Sequence, residues 1–433
     1  MRSPADRPTA AQSLWGAGAQ LALGRVLGAL ALLVGTRLLT EVVPPQVFGE
    51  YAFALAAVYL ARNIYVVPLT FAVARFYPEL ALRGELATLR GALAPWSRGW
   101  TLATVLATLA LIAAALATGQ SWSVSALLCG AIVLVLLRRE LEIALLNAAR
   151  RHRAFSIWDA AEAWARPLLA IGAVLLWQPS AEALLLGFLV ALAGALLTAR
   201  LLLPARPAAG AMRDPANTRR VMRYLWPIVP IPLLGWVTGL GDRYAIAWLD
   251  GFEQVGLYAA VYGLMSQPYL MLEQIARLTF SPVYFHAIAE GDQATQQRTF
   301  TRWIATVVGL GAVGVVATVF LRHALADVLL AQSYRHAADL MPWIAGGNAL
   351  LALARVFESP LYAQHSPRRV LIGQLLSALA AIAVGLPMIA AYGAWGAAVA
   401  CPIYFGLQCG VTIALGARRP PVAPTEHSEE LRP

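Results

Sequence analysis

The sequence predicts an all-α integral membrane protein with about twelve transmembrane helices, in two six-helix lobes related by a parallel internal repeat. Three observations lead there. The 433-residue chain has a mean hydropathy of +0.64 and is 59% hydrophobic but only 13% charged, against about 25% charged in soluble domains. Its apolar runs approach or exceed the ~20 residues that a helix needs to cross a bilayer. Finally, the arginines outside those runs sit almost entirely on alternate connections between them.

Residues 1–13 are polar, and the apolar run that follows, about 14–40, is too long for a secretory signal core; it predicts the first span. Further spans are expected over about 47–74, 99–118, 122–149, 154–177 and 181–203. The second half gives 221–249, 253–283, 303–321, 340–364, 369–391 and 394–416. Short connections such as TEVVPPQ, ATGQSW, WQPSA, DGFEQ and YGAWG separate them. The stretch PARPAAGAMRDPANTR lacks apolar periodicity, so 204–220 is expected to link lobes 14–203 and 221–417. Residues 418–433, rich in Pro and Glu, predict a disordered tail.

Every basic residue is arginine. The segments 1–13, 75–98, 150–153, 200–223, 284–302, 368–369 and 418–433 carry 22 of the 33, whereas the opposite connections carry only Arg322 and Arg335. The positive-inside rule therefore places both termini in the cytoplasm, on a multi-pass protein of the cell's inner (plasma) membrane. The net charge of +10 marks topology and does not point to nucleic acid. Cys129, Cys401 and Cys409 all lie within apolar runs, so neither a disulfide framework nor a metal site is expected, and no cofactor is implied.

A short corner is written twice. GTRLLTEVVPPQVFGEYA (35–52) and GDRYAIAWLDGFEQVGLYA (241–259) both place Gly-x-Arg at the end of one run and Gly-x-Tyr-Ala at the start of the next. Arg139-x-x-Glu142-x-x-Leu145 recurs likewise as Arg355-x-x-Glu358-x-x-Leu361. Six spans per repeat is an even number, so the halves are parallel, an arrangement of secondary transporters that bind substrate between the halves. Arg37, Gly49, Asp242, Arg243 and Gly256 are read as structural corner residues, their arginines near enough to the membrane surface to snorkel.

Charges deeper in the spans carry the functional reading, because an arginine at the bilayer centre costs about 2.5–3.5 kcal/mol on insertion scales. Arg25, Arg62, Arg166 and Arg355 fall near mid-span and Arg277 slightly inward. Helical spacing suggests the pairs Glu162–Arg166, Glu273–Arg277 and Arg355–Glu358, with Glu142 answering Arg138 or Arg139. Arg25 and Arg62 have no acid within one turn. A guanidinium is permanently charged and forks onto phosphate oxygens, so the five arginines are candidates for an anionic headgroup. Glu142, Glu273, Glu358, Asp159 and Glu162 are candidates for coupling a proton or sodium ion. Aromatics such as Trp158, Trp164, Tyr262, Tyr269 and Trp343 fit packing or an interface belt.

These stretches resemble the polysaccharide, or O-antigen, flippase family of the superfamily that also holds multidrug and toxic-compound extruders. The carrying segments are GTRLLTEVVPPQVFGEYAFALA, RFYPEL, LWPIVPIPLLGWVTGLGDRYAIAWLDGFEQVGLYAAVY, FSPVYFHAIAEGDQATQQRTFTRW and YGAWGAAVA. The resemblance implies two lobes, alternating access and transfer of a lipid-linked oligosaccharide, usually on a polyprenyl diphosphate, between leaflets. It also implies a polysaccharide polymerase and glycosyltransferases as pathway partners, and charged cavity residues that engage substrate. The alternatives are a drug or cation extruder, which intramembrane arginines disfavour, and a membrane polymerase or glycosyltransferase, for which no sizeable loop is available apart from 322–339. No Gly-rich phosphate loop with Lys-Ser/Thr is present.

Overall fold

The computed structural model describes residues 10–148, 152–202, 214–363 and 367–417. They form helices α1 (Ala10–Val42), α2 (Pro45–Leu82), α3 (Leu86–Thr118), α4 (Ser123–Ala148), α5 (His152–Leu176), α6 (Ala181–Leu202), α7 (Pro215–Leu225), α8 (Pro230–Leu240), α9 (Asp242–Leu249), α10 (Phe252–Glu290), α11 (Gln293–Leu329), α12 (Met341–Ala363), α13 (Pro367–Ala383) and α14 (Gly385–Ala417). The expected tail 418–433 and the Arg150–Arg151 pair lie outside the described residues.

Six helical stretches are each long and apolar enough to cross a bilayer, and a seventh is the pair Pro215–Leu240 and Asp242–Leu249, bent by 43°. α4 and α5 fall short because they bring charges into the span: Arg138, Arg139, Glu140 and Glu142 on one, Asp159, Glu162 and Arg166 on the other. The bend falls at Gly241; upstream of it the α-helix gives way to a 3-10 turn over Trp226–Ile228, where Pro227, Pro230 and Pro232 cluster, since proline removes a helix donor and crowds the preceding turn. The eleventh and twelfth spans divide at Gly393, inside α14, where φ is 58°. The Ala394 amide donates to Asp250 of the second corner there, at 3.1 Å.

Each helix pairing of the first lobe has a counterpart in the second. α2 packs on α4 as α10 packs on α12, α3 on α4 as α11 on α12, and α5 on α6 as α13 on the last span. The parallel repeat is therefore a property of the packing. α3 and α11, equivalent in the repeat, stand outermost, leaving Leu102, Leu106 and Leu109 or Leu310, Val313 and Phe320 more than half exposed, as a lipid-facing surface requires.

The lobes meet on the corner side, opposite the arginine-rich connections. There α2 and α10 cross at Gly49 and Gly256: a Cβ on Gly49 would overlap the Phe252 carbonyl, and one on Gly256 the Pro45 carbonyl. Small residues let helix backbones approach this closely in a membrane. The written-twice Gly-x-Tyr-Ala is thus the lobe crossing itself. Phe53 packs on Tyr244 and Phe252, with ring centroids 4.4 and 5.4 Å apart. Tyr334 of the 332–340 segment donates to the Val43 carbonyl at 3.0 Å.

On the arginine-rich side the expected linker is partly helical. α7 packs against α3 and α2 of the first lobe, capped by Asp214 through the Ala216 amide at 2.9 Å. Arg220 forks onto Glu79 at 2.9 and 3.0 Å, and Tyr224 and Trp226 meet Phe76 and Trp96 edge-on. At the opposite hairpin, Asp292 caps α11, and its hydrogen bonds from Thr295 hold the carboxyl below the usual carboxylate range.

Candidate functional site

A cavity of about 350 Å³ opens between the lobes beneath the α2–α10 crossing. α2 contributes the helical stripe Phe48, Ala52, Leu55 and Tyr59, with Tyr51 beside it, and α1 contributes the face running from Gly28 to Leu39. α5 adds Ala163, Arg166 and Pro167, while Arg243 of α9 and Gly263 and Gln267 of α10 close the second-lobe side. The walls are mostly apolar with a few polar groups among them, the usual make-up of a ligand pocket.

Arg62 lies one turn beyond Tyr59 on α2 and so continues the cavity stripe. Arg25 lies one turn before Gly28 on α1; its side chain is outside the described residues. The absence of an acid near Arg62 in sequence is misleading. Its Nε donates to Glu140 of α4 at 2.9 Å, across a helix interface. Glu140 also accepts from Arg139 Nη1 at 3.0 Å, and Arg139 reaches Glu162 at 2.5 Å and Asp159 at 3.5 Å. Arg166 shares Glu162 through two nitrogens and lies over the Phe188 ring at 5.1 Å. Three guanidiniums and three carboxylates thus form one neutral network joining α2, α4 and α5. Such balance is what a low-dielectric interior demands, since an uncompensated buried charge is far more costly.

Two expected helical pairings are corrected here. Arg139 turns away from Glu142 toward the network, and Glu142 instead meets Arg90 of α3 at 3.4 Å. In the second lobe Arg355 reaches not Glu358 but Glu273 of α10, at 3.7 Å. Glu273 also accepts from Arg277 Nε at 3.1 Å, so the pairing expected there is present, and Arg277 remains about half exposed. Glu358 is buried and accepts from Gln408 at 3.2 Å. In both corrections the winning partner comes from a neighbouring helix, which spacing along one helix does not reveal.

The two lobes therefore carry the same ionic contact with its polarity reversed. Between the second and fourth spans of the first lobe the cation is on α2 and the anion on α4. Between the eighth and tenth spans of the second, the anion is on α10 and the cation on α12. Arg62 and Arg166 join one network on the cavity side of the first lobe, while Arg277 and Arg355 gather around Glu273. Sequence reasoning missed Glu140, the residue that ties Arg62 to the rest. Its only signal was a third charge within the run Arg138-Arg139-Glu140.

The corner residues divide. Arg37 is neutralised by Glu41 at 2.5 Å on its own helix. Arg243 is buried, lines the cavity and lies 5.1 Å from the Tyr262 ring. Its Nη1 donates to the Gly239 carbonyl at 3.0 Å and to Asp242 at 3.2 Å, and Asp242 also accepts from Tyr258. Among the described residues no group of three or more His, Cys, Asp or Glu side chains is placed to hold a metal ion.

Comparison with known structures places this architecture. The fold matches a lipid II flippase MurJ in an inward closed conformation with a TM-score of 0.69 at 12% identity, covering 90% of this chain and 85% of that one. It also matches an outward-facing multidrug resistance MATE transporter of the MOP superfamily, with TM-score 0.66, 12% identity and coverage of 93% and 94%. An inward-facing MATE transporter gives 0.58 at 13% identity, covering 94% and 93%. A search of curated proteins finds no match to the sequence. Residues 15–288, well over half of the chain, match the family described as polysaccharide biosynthesis protein, and the chain belongs to that family.

Proposed function

We propose that the protein is a flippase that moves a polyprenyl-diphosphate-linked oligosaccharide from the inner to the outer leaflet by alternating access. One observation carries this reading beyond family membership: the cavity lies between the lobes beneath the α2–α10 crossing, has Arg166 in its wall and is followed one turn further along α2 by Arg62. In this reading the corner side faces outward, both termini lie in the cytoplasm, and the membrane is the inner membrane. The diphosphate is received by Arg62 and Arg166, with Arg25 on the same stretch of α1, the glycan enters the cavity and the lipid tail stays in the bilayer. Because Arg62 and Arg166 are already paired, the headgroup competes with Glu140 and Glu162 for their donors. Arg277 and Arg355 play the corresponding part in the second lobe. Buried Glu358, whose partner is Gln408 and not an arginine, is the favoured place for a coupling proton or sodium ion, ahead of Glu142, Glu273, Asp159 and Glu162, which are held in ion pairs. The polymerase and glycosyltransferases of the same pathway are the natural partners.

The likeness to MATE transporters supports a second reading, extrusion of organic cations. A reconstitution separates the two. Vesicles containing the protein and a fluorescent polyprenyl-diphosphate trisaccharide should show the glycan becoming protected from, or exposed to, an external lectin faster than protein-free vesicles. Arg62→Ala and Arg166→Ala should slow this at least about tenfold, the weight of a charge-assisted hydrogen bond. Cation-dye efflux with no lipid translocation overturns the flippase reading in favour of the extruder.

A further inference from the structure

We propose that Arg243, a corner residue by sequence, is the anion-receiving end of the cavity, and that the group it receives is an acidic substituent on the glycan itself, a carboxylate of the uronic-acid type. The inference rests on the flippase reading and names the class of sugar that its cavity takes.

The geometry of one guanidinium carries it. Arg243 has 6% of its surface exposed, and its bonded nitrogen, Nη1, serves the Gly239 carbonyl and Asp242. Its Nε and Nη2, the edge that grips an oxyanion with two parallel bonds, take no acceptor among the described residues. Neither nitrogen is among the buried polar atoms sealed off without a partner, and the residue lines the cavity. The free edge therefore has the cavity to open onto. Tyr258 and Tyr262 flank the guanidinium at 5.9 and 5.1 Å. Asp242 is shared with Tyr258, which fixes the side chain while leaving the fork unused. Arg37, the repeat-related arginine, does not have this setting: Glu41 closes its charge on one helix.

Depth decides which oxyanion arrives. With a rise of 1.5 Å per residue, Arg62 lies about 25 Å from the corner end of α2, Arg166 about 15 Å from that of α5, and Arg243 about 9 Å from that of α9. During loading a lipid-anchored diphosphate stays near the opposite membrane surface, within reach of Arg62 and Arg166. Arg243 lies about 16 Å beyond Arg62 by that rise, so a diphosphate held at Arg62 does not reach it. The sugar does. At that depth and below it the cavity wall is Tyr51, Tyr59 and Phe188 with Thr36 and Gln267, flat rings and polar groups suited to a pyranose.

The test uses the full chain in lipid nanodiscs and three probes: undecaprenyl diphosphate, the same lipid carrying glucose, and the same lipid carrying glucuronic acid. The wild type should bind the glucuronic acid lipid about tenfold or more tightly than the glucose lipid, as a bidentate charged contact predicts. Arg243→Gln should abolish that preference and leave affinity for undecaprenyl diphosphate within about twofold. Arg243→Lys, which keeps the charge but not the fork, should retain part of the preference and guards against a folding defect in the glutamine variant. A wild type with no preference overturns the inference, as does an Arg243→Gln protein that keeps it. Equal weakening for all three lipids also overturns it, because Arg243 then reads the diphosphate. Absence of binding to any of the three overturns the flippase reading together with it.

Discussion

Glu140 accepts from Arg62 at 2.9 Å and from Arg139 at 3.0 Å, with only 5% of its surface open. Removing it leaves two guanidiniums without their shared counter-ion, one of them, Arg139, almost wholly buried. Breaking a buried ion pair from one side costs about 3–5 kcal/mol, so Glu140→Ala should sharply lower the thermal stability of the detergent-solubilised protein. Arg62→Ala should cost much less, because Glu140 keeps Arg139 and the Arg62 side chain is about one-third exposed. Equal losses in size-exclusion melting curves would show that Glu140 is not the centre of the network. Residue-scale detail of this kind was only half legible in the sequence. Glu162–Arg166 and Glu273–Arg277 follow from spacing on one helix. Arg62–Glu140 and Arg355–Glu273 join helices whose adjacency is a property of the folded bundle.

α2 and α10 cross where neither tolerates a side chain, at the two positions whose equivalence was the most legible feature of the chain. The corner duplication identified Gly49 and Gly256 as equivalent; the structure adds that they touch, because a repeat axis brings equivalent positions together where it passes between the lobes. Gly49→Leu must push the Phe252 carbonyl aside, and the least costly relief is to separate the helices at the corner side. A cysteine placed at Thr36 in the cavity wall should then react several-fold faster with a membrane-impermeant thiol reagent applied from that side. Unchanged labelling would mean that the crossing does not seal the cavity. Less legible was the seventh span. Nothing in the run showed that α7 would leave its own half of the sequence and pack on α3 and α2, because the aromatic contacts of Phe76 and Trp96 with Tyr224 and Trp226 have no periodic signature.

That docking decides how the whole molecule divides when it moves. By sequence the second repeat begins near Val221, but by packing α7 belongs to the first lobe, and the proline-broken stretch 226–232 is the first place where the chain can flex between the two bodies. The bidentate contact of Arg220 with Glu79 is exposed and contributes little to stability by itself, about 0–1 kcal/mol for surface pairs. With two aromatic contacts beside it, it positions α7 instead. If the lobes rock as rigid bodies and part at the α2–α10 crossing, α7 travels with the first lobe and the Glu79–Arg220 distance does not change through the cycle. A disulfide between Glu79→Cys and Arg220→Cys, made after replacing the three native cysteines, should therefore leave the lectin-reported translocation rate within about twofold of the reduced protein, a difference of less than ~0.5 kcal/mol in the barrier. A crosslink between Phe53→Cys and Phe252→Cys, whose rings meet across that crossing, should abolish translocation, because that seam has to part. Arrest by the first crosslink would place the moving boundary on the arginine-rich side of α7, and the α7 contact with α2 and α3 would then be a gate that opens in each cycle.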